Sequence, residues 1–376
     1  RIRDGRIESI RTAQGLPTDE VASLFEGPDG TIWAGTYTAG IVRVRDGRVV
    51  EVLGKGAGLP GLDVRAIHGD RDGNVWAATA SGLALTRDGR RFETVVPPEG
   101  ISLNAVVCLL EARDGTLWFG TSGDGLVRRS GGEFRVLTTR DGLVSDRIAA
   151  LLEDEDGTLW IGSAWSGLNR LRDGVLTSVK PSSGLAEGRV QVLLADRLGG
   201  IWTTGNKGFQ RLSRKELDAV ASGRAATLRP LAFGLADGLR TGSFASGQQP
   251  AGAAGPDGRL WLPSYRGVVI VDPARIPPPP SPPGSRLEEI HVDGRTLAPS
   301  AEVELAPGWR TLEIRYAPTT LQPPEQLRFR YRLAGFHDDW TEVGSRRAAF
   351  YTALPPGRHR FEVASRIGDG EWGATT

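Results

Sequence analysis

Tryptophan recurs along this chain at an almost constant interval. Trp33, Trp76, Trp118, Trp160 and Trp202 are spaced 43, 42, 42 and 42 residues apart, and Trp261 follows 59 residues later. The neighbouring residues repeat with it, so DGTLWFG at 114–120 returns as DGTLWIG at 156–162. Each tryptophan is preceded by a turn: Pro28-Asp29-Gly30, Arg71-Asp72-Gly73, Arg113-Asp114-Gly115, Glu155-Asp156-Gly157, Leu198-Gly199-Gly200 and Pro256-Asp257-Gly258. Asp-Gly is a strong hairpin signal because its residues tolerate positive φ. A second glycine follows each tryptophan (Gly40, Gly82, Gly125, Gly167, Gly208 and Gly267) and opens a short apolar strand such as GIVRV. Another turn then leads to a further strand, such as RVVEVL or EFRVL.

Each unit therefore holds four short strands in about 42 residues, which is the period of a β-propeller blade. The 3.6-residue periodicity of a helical repeat is missing. The sequence predicts an all-β protein with about six four-stranded blades. Each tryptophan should lie on the second strand of its blade and pack between blades, where its large apolar area is best used. Residues 3–10, RDGRIESI, read as the outer hairpin of a blade without inner strands, and the last unit runs out before an outer strand. Residues 5–10 are one candidate to supply that strand and close the ring. The other reading places a further blade upstream, making these six part of a seven-bladed ring. Two units depart from the period. The fifth inserts SRKELDAVASG at 213–223, a short helix with Ser213 as N-cap, Glu216 completing a capping box and Gly223 ending it. The sixth lengthens its first segment with small and polar residues.

The propeller is expected over 1–275. IPPPPSPPGS at 276–285 reads as a stiff extended linker. Beyond it LEEIHVDG, TLEIRYAP, LRFRYRLAG, RAAFYTAL and HRFEVASR alternate apolar and polar residues. Such strands over 286–376 predict an immunoglobulin-like β-sandwich. GDGEWGATT stops where another strand is due, so the sandwich is expected to be truncated. The chain has no methionine, even at position 1, and is read as an internal piece of a longer protein.

The 46 basic and 45 acidic side chains nearly cancel, which argues against nucleic acid or an anionic membrane as a partner. The single cysteine, Cys108, excludes an internal disulfide and reads as an inert buried thiol. No apolar stretch is long enough to span a membrane, so membrane attachment is expected only through a helix outside this chain.

The blade GLPTDEVASLFEGPDGTIWAGTYTAGIVRVRDG, the last blade FASGQQPAGAAGPDGRLWLPSYRGVVIVDPARI and the segment YRLAGFHDDWTEVGSRRAAFYTALPPGRHRFEVASRIGDGEW resemble the two-component regulator propeller family and the triple-tyrosine domain that follows its propellers. Tyr331, Trp340, Tyr351 and Trp372 fall at family positions, while His359 stands where the family usually has tyrosine. The resemblance implies the periplasmic sensor region of a membrane receptor, here expected to be a homodimer. Its output domain, a histidine kinase or diguanylate cyclase, would lie beyond a membrane helix.

The residues themselves offer little chemistry. The four histidines, His68, His291, His337 and His359, lack metal spacing, and no phosphate-binding glycine loop is present. His68 stands where other units have Phe25, Leu110, Leu152 and Leu194, an inward apolar column, and is read as a core histidine. Asp29, Asp72, Asp114, Asp156 and Asp257 recur in the turns and are read as structural. We expect no cofactor, metal or catalytic residue. A ligand is expected on the face that carries the loops after each tryptophan strand and the loops between blades. The post-tryptophan loops offer Tyr37, Asp124, Trp165, Asn206, Lys207, Tyr265 and Arg266, and the inter-blade loops offer Asp146, Arg147 and Arg189. Such a set suits an unidentified small polar molecule, a glycan or a peptide. Trp165 lies outside the blade repeat, so packing does not explain it. A soluble propeller lyase or hydrolase, or a protein-interaction scaffold, are the alternative readings.

Overall fold

The computed structural model describes residues 2–3, 6–245, 247–276, 282–300, 302–320, 327–352, 354–368 and 370–376. The chain divides into two compact units, Arg1–Ile276 and Pro277–Thr376. The prolines expected to form a stiff linker fall mostly at 277–281, outside the described residues.

The first unit is a succession of antiparallel blades whose strands follow chain order. Blade 1 comprises Val21–Glu26, Ile32–Thr36, Ile41–Arg45 and Arg48–Leu53, and blades 2 to 5 repeat this four-strand plan. Blade 6 has three strands, Ala253–Ala254, Leu260–Ser264 and Gly267–Val271. Arg6–Ile7 does not supply its fourth strand. It pairs with Ile2–Arg3 in a separate two-stranded ladder. A partner two residues away in sequence costs little loop entropy, so the local pair wins over a distant edge. Val268 and Ile270 on the unpaired edge of blade 6 are exposed.

Register explains the tryptophan repeat. Trp33, Trp76, Trp118, Trp160 and Trp202 lie directly across from Phe25, His68, Leu110, Leu152 and Leu194 on the inner strands. Side chains of one strand face share a side of the sheet, so each pair aims at the next blade. Trp160 packs with Leu185, Val190, Leu193 and Ile201 of blade 5 and its approach, and Trp118 packs with Ile148, Leu159 and Ile161 of blade 4. Trp33, Trp76 and Trp202 fill the other three interfaces. Trp261, on the last blade among the described residues, is only half-buried. In blades 1, 3 and 4 a glycine two residues past the tryptophan makes close approach possible. A Cβ at Gly35 would stand 2.7 Å from the Val64 carbonyl, and one at Gly162 would stand 2.6 Å from that of Val190.

The turns hold the indoles by their polar edge. In blade 4 Asp154 accepts hydrogen bonds from the N–H groups of Asp156 and Thr158 and, at 3.0 Å, from Trp160 Nε1. Asp70 and Asp196 do the same for Trp76 and Trp202 at 2.8 and 2.7 Å. Burial works against charge on Asp196, but Arg211, the Trp202 indole and two turn N–H groups outweigh it and hold the carboxyl below its ordinary range. Where that position is Gly27, Ala112 or Gly255, the turn is capped by Asp29, Asp114 or Asp257 instead. The recurring turn aspartates are therefore structural in blades 1, 3 and 6, while blades 2, 4 and 5 use a carboxylate two residues earlier, which the repeat pattern did not reveal.

The inserted helix spans Arg214–Ala221, with Ser213 accepting from the Glu216 N–H. The expected capping box is half formed: the Glu216 carboxylate turns away to accept from the Arg229 N–H at 3.2 Å. Leu217, Val220 and Ala221 join the core between blades 4 and 5.

The second unit is a two-sheet sandwich. One sheet orders Arg295–Leu297, Ser285–Val292, Thr311–Pro318 and Ala348–Thr352; the other orders His337–Gly344, Leu327–Ala334 and Arg360–Ile367. Arg295–Leu297 and His337–Gly344 were not apparent from sequence, because both are edge strands with mostly exposed, polar residues. Tyr316, Tyr331, Tyr351, Phe329 and Phe361 form the aromatic core. Burial raises the phenol pKa values of Tyr316 and Tyr351. Trp340 and Trp372 interleave with arginines: Arg330 lies 4.4 Å from one ring centre and 4.6 Å from the other. His359 keeps its Nε2 2.9 Å from the Pro355 carbonyl.

Truncating Trp160 to alanine empties a fully buried indole site and is expected to cost about 3–5 kcal/mol. Asp154→Ala, which strands three N–H donors, should cost about 1–3 kcal/mol. Urea unfolding of both variants checks this order; an Asp154→Ala variant as stable as the parent would refute the turn-lock account.

Candidate functional site

The loops between blades and the loops after the tryptophan strands do share one face, because they hydrogen-bond to one another. Tyr37 N donates to the Glu20 carbonyl, Ser122 N to Ala105, Ala164 N to Arg147 and Tyr265 N to Ser243. Strand-end hydroxyls shape the post-tryptophan loops. In five blades the third residue after the tryptophan is Thr36, Thr79, Thr121, Ser163 or Ser264. Each accepts from a loop N–H and donates across the loop, as Ser163 does to Gly167 O at 2.7 Å while accepting from Ser166 N at 2.9 Å. These hydrogen bonds make the loops rigid and leave their side chains free to vary.

The ten residues expected at this face divide into groups. Trp165, Arg189, Asn206 and Lys207 come together between blades 4 and 5. The Arg189 guanidinium sits over the Trp165 indole, its central carbon 3.3 Å from the ring centre, and donates to Asn206 Oδ1 at 2.8 Å. Trp165 remains 54% exposed, consistent with its place outside the blade core. A cavity of about 260 Å³ opens beside them, lined by Glu187, Lys207, Phe209, Phe233 and Asp237 among others. Arg266 borders a second cavity, of about 280 Å³, with Leu239, Arg240, Ser264 and Val268. Tyr37 is half-buried and its hydroxyl accepts from Gln248 Nε2. Asp146 is spent within its own loop, accepting from Thr139 N at 2.6 Å and Thr139 Oγ1 at 3.1 Å. Asp124, Arg147 and Tyr265 stand exposed at separate points.

Sequence reasoning missed three residues that organise this region. Glu187 accepts from Asn206 N at 2.9 Å and Lys207 N at 2.5 Å. Gln248 joins the last blade to Tyr37. Gln249, in the long segment leading into blade 6, reaches the inner strands of three other blades. Its N–H donates to the Arg65 carbonyl, its carbonyl accepts from Leu24 N, and its side-chain amide both accepts from Leu109 N and donates to Leu109 O at 2.6 Å. A run of small and polar residues gives no sign of such a staple. Glu187 did leave a signal: blade 5 reads WTTG where the others read WAGT, WAAT, WFGT, WIGS and WLPS, so its capping hydroxyl is gone.

His68 lies on the inner strand of blade 2, away from these loops. It is partly buried, and its Nε2 has no hydrogen-bond partner. Desolvation holds its pKa below the ordinary 6.5, partly offset by Glu111 and Asp70.

A propeller of this construction, carried with an immunoglobulin-like sandwich, defines the class of protein. The two component regulator propeller pattern matches at 15–38, 58–81, 100–123 and 142–165. Each match runs from an inter-blade loop to the loop after the tryptophan strand. The Y_Y_Y domain pattern matches at 320–376. Four of the blades thus carry the two component regulator propeller pattern, and the C-terminal part of the second unit carries that of a Y_Y_Y domain. Its fold resembles the extracellular domain of the hybrid two component system BT3049 from B. thetaiotaomicron, at a TM-score of 0.80 and 19% identity over 100% of this chain and 51% of that one. It also resembles the extracellular domain of BT4673 from the same organism (TM-score 0.53, 17% identity, 98% of this chain and 58% of that one). A streptogramin B lyase aligns at TM-score 0.52 and 15% identity over 70% of this chain and 83% of its own. At these identities the likeness is one of fold, and the chain spans about half the length of the BT3049 domain. No curated protein matches the sequence.

The environment of His68 predicts a pH dependence. Folding disfavours the imidazolium, so the unfolded chain binds the proton first and stability falls as pH drops below about 6.5. His68→Leu, the residue type blades 3 to 5 use here, should flatten the fall in Tm between about pH 7.5 and 5.5. Parallel profiles for the two proteins would contradict this.

Proposed function

We propose that this chain is the ligand-sensing, extracytoplasmic region of a bacterial signalling receptor. The observation that carries the reading is the order of parts: propeller repeats followed by a Y_Y_Y sandwich, aligned along its whole length with about half of the extracellular domain of a hybrid two component system. Loops that vary on a frame fixed by repeated hydrogen bonds are what a rigid presentation surface requires. The ligand is a small polar molecule, a glycan or a peptide, bound at the loop face by the residues gathered around Trp165 and Arg189. The signal passes through the sandwich, in a homodimeric parent, to a kinase or cyclase beyond the membrane. In this reading the chain binds and does not turn over its ligand. Among the described residues no cluster of histidine, cysteine or carboxylate groups is arranged to hold a metal, and none of the helices is long and apolar enough to cross a membrane.

The test is a thermal-shift screen of the purified chain against oligosaccharides, peptides and organic acids, with each hit followed by mass spectrometry. A binder that raises Tm by several degrees, as occupancy well above Kd requires, and is recovered intact supports the sensor reading. Conversion of a hit to product would favour the propeller lyase or hydrolase instead.

A further inference from the structure

Blade 5 differs from every other blade at the point where its loop is capped. Five blades place a serine or threonine hydroxyl at the third residue after the tryptophan, and that hydroxyl satisfies the loop from within. Blade 5 places Gly205 there. Its threonine has moved back one position, and the Thr204 hydroxyl is buried without a hydrogen-bond partner. The N–H groups of Asn206 and Lys207 instead point at a carboxylate that belongs to another loop, Glu187, one oxygen to each. Two successive N–H groups turned to one anion form a nest, the backbone device that binds carboxylates and phosphates. Gly205 is what makes room for it. A Cβ at this position would lie 2.7 Å from the Glu187 carboxyl carbon.

The surroundings fit a carboxylate that comes from outside. Lys207 lines the adjoining cavity of about 260 Å³. Arg189 is held over the Trp165 ring and gives one amine to Asn206 Oδ1, which keeps its positive charge beside the loop. Asp237, the other acid of the cavity wall, is occupied by the Gly234 N–H at 2.8 Å. With Glu187 in place, Arg189, Lys207, Asp237 and Glu187 sum to zero. With Glu187 withdrawn they carry one positive charge, which a single ligand carboxylate neutralises.

We propose that the blade 5 loop Gly205–Gly208 is a carboxylate-binding site, occupied in the free protein by the chain's own Glu187, and that a ligand bearing a carboxylate displaces it. This deepens the sensor reading and rests on it. The displaced Glu187 lies in the loop between blades 4 and 5, so exchange of one carboxylate for another would move an inter-blade loop.

The experiment titrates glutarate, with glutaramide as the neutral control, into the whole chain and into Glu187→Ala, reading affinity by calorimetry and position by the amide resonances of Asn206 and Lys207. The expected result is that E187A binds glutarate at least tenfold more tightly than the parent, shifts those two amides, and ignores glutaramide. A second variant, E187A with Gly205→Ser, rebuilds the hydroxyl cap of the other blades and should fold while losing at least tenfold of the gained affinity. Glu187→Gln, which keeps one acceptor oxygen for the loop but no charge, should bind glutarate more tightly than the parent and less tightly than E187A; affinity no higher than the parent's would count against displacement of a charged occupant. Equal glutarate affinity in E187A and the parent overturns the proposal, as does equal binding of glutaramide. Ligands found by thermal shift that move amides of other loops would overturn this site while leaving the sensor reading intact. Failure of every compound, in both the screen and the titration, would count against both.

Discussion

The fold depends on one arrangement repeated around the propeller: an indole buried between two blades and, in three blades, anchored by its N–H to a turn carboxylate. Dispersion and apolar burial supply most of the stability at such an interface. Direction comes from the polar edge. In blade 4, Asp154 fixes the turn through two backbone N–H groups and fixes Trp160 through its Nε1, so the hairpin and the inter-blade packing are set by one carboxylate. Each blade is too thin to bury its own apolar faces, so neighbours complete it. Trp261 of blade 6 is half-buried, unlike the five buried indoles.

Because the frame is fixed this way, its loops are under little structural demand, and departures from the repeat stand out. Trp165 is exposed in a position that the blade pattern does not require, and an arginine from the next inter-blade loop covers it. Gly205 replaces a hydroxyl that every other blade retains, and a carboxylate from the neighbouring inter-blade loop accepts from the loop N–H groups instead. Gln249 leaves its own blade to join the inner strands of three others. These three features have no part in the repeated hydrogen bonding, and they concentrate at the loops and the axis.

How much could be read from sequence follows from what the repeat encodes. Spacing alone gave the blades, the interface tryptophans and the shared loop face, because a period of about 42 residues recurs across five successive tryptophans. The inserted helix was legible from Ser213 as its N-cap and Gly223 as its stop, although Glu216, expected to complete a capping box, found a different partner in Arg229. Hydrogen bonds between residues far apart in the chain were not legible. The WTTG of blade 5 shows that a capping hydroxyl is missing, but only the folded chain shows that Glu187 takes its place at Lys207, or that Gln249 reaches Leu109. Asp146 looked available for a ligand, but its oxygens are taken by Thr139, a local bond the loop sequence did not announce. The edge strand His337–Gly344 was missed because an exposed edge needs no apolar alternation.

The central claim is that this chain receives a signal for a machine elsewhere in the same polypeptide. The sequence of the parent gene beyond Thr376 tests it most directly. The account predicts a stretch of about 20 apolar residues, long enough to cross a bilayer, followed by a histidine kinase or diguanylate cyclase domain. A stop codon within a strand's length of Thr376 would contradict it.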